Sequence, residues 1–137
     1  MSRNIDDLQP KVAALCHKFI VECAKRGIDV LITCTLRVEA EQAALYAQGR
    51  TKPGPIATNA KPGQSLHNYA CAFDFVPIVH GKPLWDDHET FEKCGVIGEK
   101  LGLEWSGRWS GPMREQCHLQ YTQGLTLADF RAGKRLS

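Results

Sequence analysis

The chain reads as one α+β domain with a small, mostly antiparallel sheet packed against about three to four helices, and three observations predict this. Segments of helical period alternate with short β-branched or aromatic runs, glycine or proline closes most of them, and no internal repeat is present. At 137 residues the chain is long enough for one core and too short for two, so residues 1–137 are taken as a single domain.

Ile5, Leu8, Val12, Leu15, Cys16, Phe19, Ile20 and Cys23 recur at three- and four-residue steps, which predicts a helix over 5–26 with Asn4 as its cap and Gly27 as its stop. Asp6 and Asp7 would sit in the first turn, where the helix dipole favours acids. Residues 28–35 are β-branched and short, hence a buried strand, and 39–48 form a second helix ended by Gly49. Pro53, Gly54, Pro55, Pro62 and Gly63 make 50–64 an exposed loop. A strand over 71–79 turns through His80–Pro83 into a hairpin, and 91–101 is a third helix stopped by Gly102. Short strands follow around 103–109 and 117–121, with a last helical turn or two from Thr126 to Gly133.

The composition, 43% hydrophobic and 23% charged, is that of an ordinary folded protein. A net charge of +2 with scattered Lys and Arg excludes a nucleic-acid stripe, so no nucleic-acid partner is expected. No run of about 18 apolar residues occurs and the first residues lack a secretory apolar core, so synthesis in the cytoplasm without a signal peptide or stable membrane insertion is expected. The six cysteines show no C-x-x-C spacing, and four lie in apolar patterns; reduced, buried thiols are expected, with a zinc-cysteine site as the minor alternative.

The chemistry centres on His67, which lies seven residues before Asp74 in a segment joining the loop to a strand. That separation is about 23 Å along a strand and about 10 Å along a helix, whereas two ligands of one metal need donor atoms within roughly 3–4 Å. If both bind one ion, the chain folds back around Asn68 and Tyr69. Asp74 between Phe73 and Phe75 is a charge in an apolar strand and needs a partner. A backbone or arginine contact would also satisfy it. Glu115 and His118, three apart, can supply a base and a third ligand. Alone, such a pair is common.

Together, Ser65-x-His67-x-x-x-x-Ala72-x-Asp74 and Glu115-x-x-His118 resemble the zinc D-Ala-D-Ala peptidases and L-alanyl-D-glutamate endopeptidases, a family that includes vancomycin-resistance dipeptidases and phage endolysins. The segment Thr35 to Gly49, with Arg37 and Gln42, and the stretch Leu103 to Trp109 are similar to further parts of that family. One departure is Ala70, where the family usually has glycine. The resemblance implies a single zinc ion (Zn2+) on His67, Asp74 and His118, with Glu115 as base and Arg37 polarising the scissile carbonyl. Ser65, Trp105 and Trp109 are the candidate substrate contacts.

The implied function is zinc-dependent hydrolysis of peptidoglycan stem peptides by a monomer, most simply at the L-alanyl-D-glutamate bond, with release to the wall by a holin-like route. The runner-up is a D-Ala-D-Ala dipeptidase or carboxypeptidase, whose free carboxylate Lys52 or Lys61 would hold. A zinc-containing wall-binding module without catalysis is the alternative of another class, although a module that had lost catalysis would need neither Glu115 nor Arg37.

Overall fold

The computed structural model describes residues 1–137. Four helices, α1 (Pro10–Lys25), α2 (Glu39–Ala47), α3 (His88–Lys100) and α4 (Leu127–Arg131), accompany five strands. The strands are β1 (Asp29–Cys34), β2 (Ala72–Val79), β3 (Lys82–Pro83), β4 (Glu104–Trp105) and β5 (His118–Gln120). They form one antiparallel sheet in the order β1-β2-β5-β4, with β3 paired to the far end of β2. The α+β expectation holds.

One boundary is corrected. The predicted helix over 5–26 is two pieces, a 3-10 turn at Ile5–Asp7 capped by Asn4 and then α1 from Pro10. Proline has no N–H and crowds the residue before it out of helical space, so Gln9 is extended (φ −52, ψ 142) and the apolar periodicity of Ile5 and Leu8 cannot carry a helix through. The third helix starts earlier than 91, at His88, because Asp87 caps it by accepting from the Thr90 N–H. The strand expected around 103–109 is only two residues long and passes into a 3-10 turn at Ser106–Arg108.

The core lies between α1, α3 and the sheet. Phe19 of α1 packs on Phe73 and Phe75 of β2, with centroids 5.7 and 5.0 Å apart, and Phe75 meets Phe91 of α3 at 5.4 Å. All four rings are fully buried, each contributing about 1.5–3 kcal/mol of transfer free energy. The cysteines are unpaired, and five of the six are buried. β2 is buried along most of its length, so Asp74 is anchored in the centre of the sheet with β1 on one side and β5 on the other.

Candidate metal centre

Strand pairing brings the residues together. Asp74 on β2 stands directly opposite His118 on β5, and a bulge at Thr33 places Cys34 of β1 opposite Asp74 on the other side. His67 arrives by the fold-back that its spacing demanded. Leu66–Tyr69 forms a 3-10 turn, and Ala70 ends it in the left-handed region (φ 58, ψ 31). Alanine therefore keeps the conformation that glycine would take more cheaply; the turn does not change.

The turn is tied to Arg37 through its backbone. The Arg37 N–H donates to the His67 carbonyl at 3.0 Å, and the Asn68 amide donates to the Arg37 carbonyl at 2.8 Å. Asn68 also accepts from the Gly63 N–H at 3.0 Å, so one side chain fixes loop, turn and arginine segment. The spacing of His67 and Asp74 places Asn68 only in the bend, and no local pattern marks its bonds to Gly63 and Arg37.

His67 Nε2 lies 3.1 Å from Asp74 Oδ1, and His118 Nδ1 lies 3.3 Å from the same oxygen. The two rings meet edge to face with centroids 5.0 Å apart. His67 Nδ1 faces the Thr35 carbonyl at 2.9 Å, and a carbonyl only accepts, so this nitrogen carries the proton of the neutral ring. His118 Nε2 faces the Gln120 side-chain oxygen at 2.9 Å and is a donor for the same reason. The remaining nitrogens then present lone pairs to a carboxylate oxygen. Three acceptors converge, and only a proton or a cation between them makes the arrangement stable.

Without a metal, protons fill that role. Burial works against a charged His67, but the Asp74 carboxylate outweighs it and pushes the imidazole up to about 10. Burial likewise opposes ionisation of Asp74, and the two imidazoles overcome it, holding the carboxyl well below its usual range. Two imidazole nitrogens and a carboxylate oxygen form a donor set that suits zinc, with their outer nitrogens already held by backbone and amide oxygens. A rival set, Cys34, His67 and Asp74, also brings its donor atoms within 4.8 Å. Its sulfur lies 3.7 Å from His67 Nδ1, the nitrogen committed to Thr35, and it accepts from Arg37 at 3.6 Å. We therefore favour His118 over Cys34 as the third donor.

The centre opens into a cleft of about 300 Å³ whose wall includes Arg37, Ser65, His67, Trp109, Glu115 and His118. Glu115 is exposed, and one of its carboxylate oxygens lies within 4.8 Å of one of Asp74. The Arg37 guanidinium donates to Gln42 Oε1 at 3.0 Å and to the Cys34 sulfur, leaving N–H donors for the cleft. Ser65 lines the cleft but also caps the turn, accepting from the His67 N–H at 3.3 Å. Trp109 stands 6.2 Å from the His118 ring.

Trp105 corrects an expectation. It is a core residue at 4% exposure and does not line the cleft; its indole N–H donates to the Gln116 carbonyl at 2.9 Å. A Cβ at Gly95 or Gly107 would lie 2.2 Å from that ring, so both glycines exist to let it in. Glu104 and Gln120, absent from the sequence-based candidates, do line the cleft. Gln120, two residues after His118 on the same strand face, carried a signal that was available.

Three lone-pair donors converging beneath a cleft, with a free carboxylate and a guanidinium in its wall, make up the arrangement of a metal-dependent hydrolase. Comparisons with known proteins agree. A family model described as D-alanyl-D-alanine carboxypeptidase matches residues 58–121. The peptidoglycan L-alanyl-D-glutamate endopeptidase CwlK of Bacillus subtilis is 39% identical over 112 residues, covering 75% of this chain and 67% of the relative. The L-alanyl-D-glutamate peptidase of Listeria phage A118 is 30% identical over 121 residues, 86% of this chain but only 39% of the relative. Among solved structures, the Serratia marcescens L-Ala D-Glu endopeptidase ChiX superposes with a TM-score of 0.62 at 19% identity, over 93% of this chain and 86% of that one. The vancomycin-resistance D,D-pentapeptidase VanY in complex with Zn(II) gives 0.64 at 14% identity, over 83% and 72%. The chain belongs to the family of D-Ala-D-Ala carboxypeptidases and L-alanyl-D-glutamate endopeptidases, and is a peptidase.

Proposed function

We propose that the chain is a zinc peptidase that cuts the L-alanyl-D-glutamate bond of peptidoglycan stem peptides. The observation that carries the reading is the convergence of His67 Nε2 and His118 Nδ1 on Asp74 Oδ1 beside the exposed Glu115. These three residues would hold the ion, which when bound acidifies water and polarises a carbonyl. Glu115 takes the proton of the attacking water on its carboxylate and passes it to the leaving amine. Arg37, oriented by Gln42, meets the oxyanion as it develops, so its contribution is larger in the transition state than in the ground state. Trp109 and Ser65 flank the peptide in the cleft.

Zinc is supported by the donor set and by the Zn(II) complex of the pentapeptidase neighbour. The choice of bond is supported by the two relatives, both L-alanyl-D-glutamate peptidases. Lys52 and Lys61, the residues that would hold the free chain end in a carboxypeptidase, do not line the cleft, and Lys61 sits 6.0 Å over the Tyr46 ring. The family model's description keeps D-Ala-D-Ala carboxypeptidase activity as the second reading. The enzyme works as a monomer on wall peptides and not on nucleic acid. No helix is long and apolar enough to cross a membrane, and release through a holin-like lesion is the proposed route to the wall.

Mass analysis of purified muropeptides after digestion tests this. Free L-alanyl ends on the glycan-linked fragment and a new D-glutamyl amine are the expected products. Loss of terminal D-alanine alone would assign the second reading instead.

A further inference from the structure

The two imidazoles are held by different kinds of anchor. His67 is fixed by a backbone carbonyl, which no substitution removes, whereas His118 is fixed by a side chain that is itself fixed by another. The Gln120 amide donates to Glu104 Oε2 at 2.9 Å, and the Trp109 indole N–H donates to Glu104 Oε1 at 3.2 Å. Glu104 and Gln120 are cross-strand partners of β4 and β5, so the chain of bonds is built into the sheet register.

The direction of every bond follows from Glu104. A carboxylate only accepts, so Gln120 must turn its NH2 toward Glu104 and its oxygen toward His118. That oxygen also only accepts, so His118 must carry its proton on Nε2 and direct the Nδ1 lone pair at Asp74. Reversing the amide would set its NH2 against the imidazole N–H and its oxygen against the carboxylate. Both contacts would then be repulsive. The carboxamide also polarises under the charge of Glu104, which strengthens the acceptor facing His118, yet it cannot take the His118 proton as a carboxylate in its place could.

We propose that Glu104, acting through Gln120, is a positioning relay that fixes the tautomer of His118 and thereby sets the affinity of the centre for its metal. The relay rests on the zinc reading above. It also ties the cleft wall to the centre, because Trp109 is bound to the same carboxylate.

Zinc affinity by chelator competition, together with the ring 15N shifts of His118 in metal-free and zinc-loaded protein, tests the relay. Gln120→Leu keeps the approximate volume but removes the acceptor, and zinc affinity is expected to fall about 10- to 100-fold, the usual cost of losing such a partner. In the zinc-loaded variant the His118 Nε2 shift should move, because its proton no longer faces an amide oxygen. Glu104→Ala, at an exposed position, tests the far end without disturbing the core and should weaken zinc by less than Gln120→Leu. The exchange Gln120→Glu with Glu104→Gln leaves every donor facing an acceptor, and should restore zinc binding. A purely space-filling role would make Gln120→Leu harmless and the exchange no better than either single change. Wild-type zinc affinity and unmoved shifts in Gln120→Leu would overturn the relay alone. Failure of the wild-type chain to bind zinc would overturn the metal reading, and the relay's role with it.

Discussion

The residues proposed to hold the metal and the residues proposed to act on substrate sit on different kinds of structure. His67, Asp74 and His118 are buried, two of them on paired strands and the third on a turn bonded to the arginine segment. Glu115 is exposed, on the connection between β4 and β5, and Trp109 lies at its start. Metal ligands need fixed geometry, which paired backbone supplies; a base that moves a proton needs contact with water and substrate. The difference teaches that damage to the sheet should cost metal, whereas damage to the connection should cost rate alone.

The largest expected effect breaks the buried half. Asp74→Ala removes the oxygen on which both imidazoles converge, and zinc measured by metal analysis should drop from about one per chain to near none, with hydrolysis abolished. Retention of full zinc would show that the centre lies elsewhere, the Cys34 set excluded along with it, since that set also contains Asp74.

The next effect belongs to the exposed half. Glu115→Gln should keep zinc while the rate falls by about 10²–10⁴, the range for loss of a general base. Arg37→Ala should keep zinc and lose about 10²–10³, as for one oxyanion donor. Single-turnover kinetics on a defined stem peptide, with metal content checked, separates the two halves. Zinc loss in Glu115→Gln would move that residue into the coordination sphere and erase the distinction.

The same division explains what the sequence made readable. Periodicity locates α1, α2, α3 and the β2 strand, and the His67 to Asp74 spacing requires a fold-back if both bind one ion, because a ligand pair has a maximum reach. The Pro10 break was hidden because Ile5 and Leu8 continue the helical period across a residue that forbids it. Glu104 was missed because its role depends on β4, a two-residue strand whose pairing with β5 no local pattern announces. Trp105 and Trp109 look alike four residues apart, but the strand turns one inward and the 3-10 turn sends the other to the cleft. Gly95, inside α3 where glycine is unfavourable, was the readable sign that a large ring approaches there.

That ring gives a third prediction. Gly95→Ala would improve helix propensity by about 1 kcal/mol, yet its Cβ would stand 2.2 Å from the Trp105 indole. The clash decides the sign, because overpacking a close-fitting core costs about 1–3 kcal/mol and a ring wedged between Gly95 and Gly107 cannot step aside. Denaturant unfolding should show net destabilisation, with the rate per folded, zinc-loaded molecule little changed. A stabilised variant would mean that the indole is not held as described.

The smallest effect tests the turn that delivers His67. Ala70 sits at φ 58, ψ 31, a conformation that costs an L-residue roughly 1–2 kcal/mol and glycine almost nothing. Glycine also gives the unfolded chain more freedom, which works the other way by about 0.4–1 kcal/mol, and it removes the methyl of a buried residue. The strain term is the larger, so Ala70→Gly should leave stability unchanged or raise it by up to about 1 kcal/mol in urea unfolding. Zinc affinity should be unchanged, because the backbone bonds from Arg37 and the Thr35 carbonyl, not the residue at 70, hold the imidazole. A fall in stability of more than about 1 kcal/mol would show that the alanine methyl is a packing contact worth more than its strain, beyond what one buried methylene usually supplies.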